Sequence, residues 1–204
     1  GAANSYFMMY DLNTMQQVQK TATAEGDSFL ADPITIDINL NYATELVYIG
    51  ETYDAGTLGK MYRLSPCNTD DPAVFSYKYN PAVDPWPMTS LFSSPRPITA
   101  SPTASLDEDE NVWVYFGTGK YMSEEDKSDT TQQYFFGIKD PCQWGNCDPV
   151  ADEIQMADLY NSTNIHVLTN KEVQGASATT WDEFLEEVQA TDGWYYTLAA
   201  GGER

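Results

Sequence analysis

The sequence predicts an all-β fold assembled from repeated strand pairs, with one short helix. Three observations predict it. Short apolar runs alternate with polar residues or end on an aromatic-x-Gly step. Glycines and prolines punctuate the chain between those runs. The side chains are rich in aromatics, with 14 Tyr, 8 Phe and 5 Trp among 204 residues. Aromatic and β-branched side chains pack well on a pleated surface, so runs of them favour strands.

Taken in order, Ser5-Tyr6-Phe7-Met8-Met9-Tyr10-Asp11-Leu12 reads as a strand, Asn13-Thr14 as its turn, and residues 15–21 as the return. Residues 34–40 alternate strictly, with Ile34, Ile36, Ile38 and Leu40 on one face and Thr35, Asp37 and Asn39 on the other. Leu46-Val47-Tyr48-Ile49-Gly50 leads through a glycine-bearing loop to Lys60-Met61-Tyr62-Arg63-Leu64, and Val74-Phe75-Ser76-Tyr77-Lys78-Tyr79 alternates again. Residues 80–102 carry six prolines and read as a long connection, because proline removes a backbone donor and breaks regular structure. Val112-Trp113-Val114-Tyr115-Phe116-Gly117 follows as an apolar strand. An acidic loop over residues 123–130 leads to Tyr134-Phe135-Phe136-Gly137-Ile138, which is expected to pair back with it. The helix is expected where Thr180-Trp181-Asp182-Glu183 forms a capping box and Trp181, Phe184, Leu185 and Val188 recur at helical spacing, ending before Gly193. Its aromatics read as core-facing.

The two apolar hairpins share one plan: a strand ending in aromatic-x-Gly, a loop of variable length, and an aromatic return strand. Units of this kind, recurring over a few tens of residues, fit the blades of a β-propeller, in which sheets stack radially because none covers its own faces. The length accommodates about three to four such units. The fold class is therefore a β-propeller fragment. Residues 1–204 form one partial propeller domain, and the abrupt ends at Gly1-Ala2-Ala3 and Gly202-Glu203-Arg204 read as those of a piece of a longer chain.

Charge excludes one class of partner. With 31 acidic against 10 basic residues and a net charge of -21, the surface repels phosphate backbones, so nucleic acid is not expected to bind. Divalent cations or basic protein surfaces are attracted instead, or the acidity serves solubility alone. No run approaches the length of a transmembrane helix.

Three cysteines are present. Cys142 and Cys147 close a short glycine-bearing loop that a disulfide can bridge, which leaves Cys67 free or paired elsewhere. A zinc site is disfavoured, since three cysteines and one histidine show no CxxC spacing.

Few residues carry chemistry. Asp37, Asn39, Asn41 and Glu45 place oxygen side chains at positions one, three, five and nine of a nine-residue stretch, and Ala43 would supply a backbone carbonyl at seven. Calcium loops use this spacing because alternate residues of a tight loop point at one centre. Tyr42 stands where such loops favour glycine, and the polar face of a plain strand explains the same pattern; both readings stay open. Asp107-Glu108-Asp109-Glu110-Asn111 reads as a charged hairpin tip, with metal binding as the alternative. Gly117-Thr118-Gly119-Lys120 resembles a phosphate loop, but the residues around it depart from the required spacing, and its glycines suit a sharp turn at a strand end. His166, the one histidine, lies in the apolar run Ile165-His166-Val167-Leu168 and reads as structural. No nucleophile elbow or zinc-protease motif occurs, so no catalytic residue is assigned.

Several phrases together resemble the C-terminal propeller of the PilY/PilC-type proteins of type IV pili. They are residues 112–121, residues 133–140, the pair formed by residues 45–51 and 59–64, and the closing Gly193-Trp194-Tyr195-Tyr196-Thr197-Leu198 with Gly202-Glu203-Arg204. The resemblance implies a modified seven-bladed propeller at the pilus tip or cell surface, associated with the outer membrane, with minor pilins and a surface receptor as partners. It implies a non-enzymatic role in pilus assembly, retraction control and adhesion. Some members carry a calcium loop before the first of these hairpins, which falls on Asp37, Asn39, Asn41, Ala43 and Glu45. Two alternatives compete: a quinoprotein-type propeller dehydrogenase, and a purely structural surface domain.

Overall fold

The computed structural model describes residues 3–42, 44–65, 85–143 and 152–199. The chain opens with the antiparallel pair β1 (Asn4–Tyr10) and β2 (Gln17–Gly26). Their turn is tied by the Asp11 carboxylate, which accepts from the Asn13 and Thr14 amides at 2.7 and 3.1 Å, while Met15 takes φ 55°. A first five-stranded sheet follows, built from β3 (Phe29–Leu30), β4 (Ile34–Ile36), β5 (Leu46–Tyr53), β6 (Leu58–Leu64) and β7 (Met88–Ser94). Both β3 and β4 pair along β5, which pairs β6, which pairs β7.

The second five-stranded sheet takes β8 (Thr103–Leu106), β9 (Val112–Gly117) and β10 (Tyr134–Lys139) as a meander. The chain then leaves it through β11 (Tyr160–Asn161), the small pair β12 (His166–Val167) and β13 (Val173–Gln174), and helix α1 (Trp181–Gln189), before β14 (Gly193–Thr197) returns. The strand β14 lies antiparallel to β10 and carries β11 parallel on its far side. The sheet order is β11-β14-β10-β9-β8.

The two hairpins that share a sequence plan form the centres of the two sheets. In one, Val47 faces Leu64 and Gly50 faces Met61; in the other, Ile138 faces Val114 and Phe135 faces Gly117. Of the two aromatic-x-Gly glycines in the first strands of these hairpins, Gly50 serves close approach, for a Cβ there would lie 2.5 Å from the Ile98 side chain. Within the return strand Gly137 does the same. A Cβ on Gly137 would lie 2.6 Å from the Trp194 ring, so only glycine lets that indole lie flat on β10. The helix starts as its capping box requires: the Thr180 side chain accepts from the Glu183 amide, and Glu183 reaches back to the Thr180 amide at 3.2 Å. Phe184 is buried against Val173 and Ala178.

Two expectations need correction. Residues 34–40 are not one strand: β4 ends at Ile36, and the chain curls from Asp37 onward because the Asp37 carboxylate binds amides four and five residues ahead. The proline-rich stretch is not all connection. No proline falls between Pro87 and Pro95, and in that window β7 forms and buries Leu91 and Phe92 completely. The described residues form two five-stranded sheets and two strand pairs. The alternating run over residues 74–79 lies outside the described residues.

The largest core lies between the two five-stranded sheets. Leu46, Tyr48, Met61, Leu91 and Phe92 from the first meet Val112, Val114, Phe116, Phe136 and Ile138 from the second. Phe92 is its centre, with ring centroids 4.8 Å from Phe136 and 6.0 Å from Phe116. Burying each such ring is worth roughly 1.5–3 kcal/mol, so this interface binds sheet to sheet. On the opposite face of the first sheet, Val47, Ile49, Tyr62 and Leu64 pack with Phe7, Leu30, Trp86 and Met88. There the Gln19 amide group donates to the Trp86 carbonyl and accepts from the Trp86 amide, both at 2.9 Å. The β1–β2 pair and the two sheets thus stack face to face, the arrangement of neighbouring propeller blades. Among the described residues no helix is long and apolar enough to cross a membrane.

Candidate calcium loop

The stretch from Asp37 to Glu45 is a curled loop leading into β5. Asp37 Oδ1 and Asn39 Oδ1 both accept from the Asn41 amide, at 3.1 and 3.2 Å, so the two oxygens converge on one point. The second Asp37 oxygen accepts from the Tyr42 amide at 2.7 Å. The curl needs left-handed backbone at two places, and Leu40 and Tyr42 supply it with φ 57° and 69°. Tyr42 therefore performs the turn that glycine performs more cheaply, and its ring stands fully exposed.

The far end of the loop folds back on its start. Glu45 is fully buried, and its Oε2 accepts from the Ile38 amide at 2.8 Å. The Glu45 amide in turn donates to the Ile36 carbonyl at 2.9 Å. Ile38 buries its side chain in the core between the two sheets, so the loop is rooted in the blade interface.

The donor set fits a hard cation. Asp37, Asn39, Asn41 and Glu45 offer side-chain oxygens, and the two ends of the loop meet where Glu45 accepts from the Ile38 amide. Ala43, the carbonyl donor, lies outside the described residues. Two carboxylates are few for such a site, and no group of three Asp, Glu, His or Cys side chains able to hold a metal occurs among the described residues. Bound there, a calcium ion would be held by Asp37, Asn39, Asn41 and Glu45 and would supply charge neutralisation and loop rigidity.

The other candidates resolve differently. The acidic run from Asp107 is the tip of the β8–β9 hairpin, and Asp107 turns inward. Its carboxylate accepts from the Trp113 indole at 2.8 Å and from the Asn111 amide at 2.9 Å; these bonds outweigh partial burial and hold its pKa below the usual carboxylate range. Gly119 takes φ 136° at the end of β9, a turn and not a phosphate cradle. His166 is exposed on β12, so its placement in an apolar run did not mean burial. Cys142 is disulfide-bonded. Cys147 and Cys67 lie outside the described residues.

One constellation escaped the reading of the sequence. Asp140, just beyond β10, is buried and accepts from the Tyr48 hydroxyl at 2.6 Å, the Cys142 amide at 2.8 Å and the Arg63 guanidinium. Arg63 also donates to Thr89 Oγ1 at 2.7 Å. Burial, and then the Asp140 charge, push the Tyr48 phenol well above its usual pKa. Tyr48, Arg63 and Asp140 all sit inside the phrases that carry the family resemblance, which was the available signal.

Comparison with known proteins agrees with this architecture. A search of curated proteins finds no match. The crystal structure of the Pseudomonas aeruginosa PilY1 C-terminal domain superposes with a TM-score of 0.64 at 19% identity. That match covers 97% of this chain and 45% of the other, so the chain spans under half the length of the protein it resembles. The model of the PilY1 β-propeller domain family matches residues 1–171. The two stacked sheets and their shared hairpin plan fit that match, and the chain belongs to the PilY1 β-propeller domain family.

Proposed function

We propose that this chain is a non-enzymatic surface module of a type IV pilus tip-associated protein that supports pilus assembly, retraction and adhesion. Minor pilins and a surface receptor are its partners, and calcium bound by the loop from Asp37 to Glu45 regulates it. The family match over residues 1–171 is the observation that carries the pilus assignment. The convergence of Asp37 and Asn39 on one amide supports the calcium part. Because Ile38 anchors the loop between the sheets, a cation there would stiffen the seam between neighbouring blades.

Two measurements test the two parts separately. Calorimetric titration of calcium into the chain is expected to give a saturable heat that Asp37→Ala abolishes; absent heats in both proteins remove the calcium part. Deletion of the whole gene is expected to reduce surface pili and attachment. Unchanged piliation and attachment overturn the pilus part.

A further inference from the structure

In a chain with three times as many acids as bases, four of the eight described basic groups form no ion pair among the described residues. Arg96 is one. Its Nε donates to the Gln132 carbonyl at 2.9 Å and one Nη1 hydrogen to the Pro95 carbonyl at 3.1 Å, which fixes the guanidinium plane. Among the described residues it forms no ion pair, and its Nη2 makes no hydrogen bond. The other described arginine, Arg63, is closed on Asp140.

Arg96 lines a cavity of about 150 Å³ together with Lys120, Thr57, Thr131, Gln133 and Asp129. Four separate turns meet here, from both sheets: the β5–β6 turn, the segment after β7, the end of β9 and the approach to β10. Lys120 is brought in by a missing side chain, for a Cβ on Gly56 would stand 3.1 Å from its ammonium, and Gly56 at φ 83° is a position glycine suits. That ammonium forms a loose ion pair with Asp126 Oδ1 at 3.7 Å, too long for a direct hydrogen bond. The other Asp126 oxygen, Oδ2, accepts from the Met122 and Ser123 amides at 2.8 and 2.9 Å.

We infer that this cavity is a binding site for a carboxylate group, clasped by the Nη2 edge of Arg96 and the ammonium of Lys120. A planar fork matches a planar carboxylate, and an ammonium beside it supplies a second charge. The net charge of -21 and the Asp129 carboxylate in the cavity wall disfavour more highly charged oxyanions, so a single carboxylate is favoured over a phosphate dianion. The volume accepts a carboxyl group and a few carbons. The site joins the two sheets, and it does not depend on the calcium loop or on the pilus assignment.

The test is nitrogen-proton NMR of the chain, titrated with sodium acetate against sodium chloride at matched ionic strength. The Arg96 Nε–H and the Thr131 and Gln133 amides are expected to shift and saturate with acetate but not with chloride. Arg96→Gln and Lys120→Gln, each checked for an otherwise unchanged spectrum, are expected to weaken binding at least tenfold. Triglycine with a free carboxylate and triglycine amide separate the sources. Saturation by acetate alone marks a small free carboxylate, and saturation by the peptide acid alone marks a chain terminus. Shifts that track chloride, saturation by inorganic phosphate in place of acetate and the peptide acid, or unchanged acetate binding in Arg96→Gln overturn the inference.

Discussion

The Tyr48 hydroxyl meets the Asp140 carboxylate at 2.6 Å across the seam between the two five-stranded sheets, and Arg63 closes on the other oxygen. One carboxylate from the end of β10 thus receives a phenol and a guanidinium from two strands of the neighbouring sheet. Removing its charge takes a buried carboxylate from Arg63. Asp140→Asn is expected to destabilise the chain by about 3–5 kcal/mol in urea unfolding, whereas the double replacement Arg63→Met with Asp140→Leu should recover most of that loss. A single-variant loss under 1 kcal/mol would show that the seam does not depend on the ion pair.

Alkaline pH tests the same seam from the side of the phenols. Burial raises the pKa of Tyr48 and of Tyr62, helped by the charges of Asp140 and Glu51 respectively. A phenol whose folded pKa is raised contributes stability that is whole below about pH 10 and is lost as pH climbs past the unfolded value. Each tyrosine should therefore cost about 1.4 kcal/mol per pH unit above pH 10. Spectrophotometric titration is expected to leave these two of the 14 tyrosines protonated until the chain unfolds. Free titration of all 14 in the folded chain would contradict it.

Glu51 is buried beside the Tyr62 hydroxyl on the face of β5 that packs toward the β1–β2 pair, and among the described residues neither of its carboxylate oxygens meets a donor in hydrogen-bond geometry. Lys60 stands opposite it in register, yet its ammonium goes to Glu25 at 2.6 Å. A buried, unsatisfied polar group costs about 1–3 kcal/mol, so Glu51→Met should raise stability by that amount, read as a higher denaturation midpoint at unchanged slope. A lower midpoint would mean that the carboxylate is satisfied in solution.

What was legible in the sequence follows the range of the interactions. The central hairpins could be read because Val112 to Gly117 and Tyr134 to Ile138 carry their own apolar pattern and pair with near neighbours. β7 was hidden because its seven residues lie between prolines, and composition averaged over the stretch erases a short strand. The spacing from Asp37 to Glu45 was visible, but alternation alone cannot tell a strand face from a curl; only the capture of the Asn41 and Tyr42 amides by Asp37 decides it. The Arg63–Asp140 pair and the Arg96 cavity join residues from distant turns, and no local pattern announces such meetings.

The return of β14 to β10 after the excursion through β11, β12, β13 and α1 sets a timetable for the second sheet. Its first three strands can zip from adjacent chain, while the fourth must wait for a long loop to close. Closure entropy grows only as the logarithm of loop length, about 0.6 kcal/mol per doubling, so the excursion can lengthen or shorten with little penalty to the sheet it leaves. The stretch between β11 and β14 is therefore where this architecture can take on new surface while its blades stay the same.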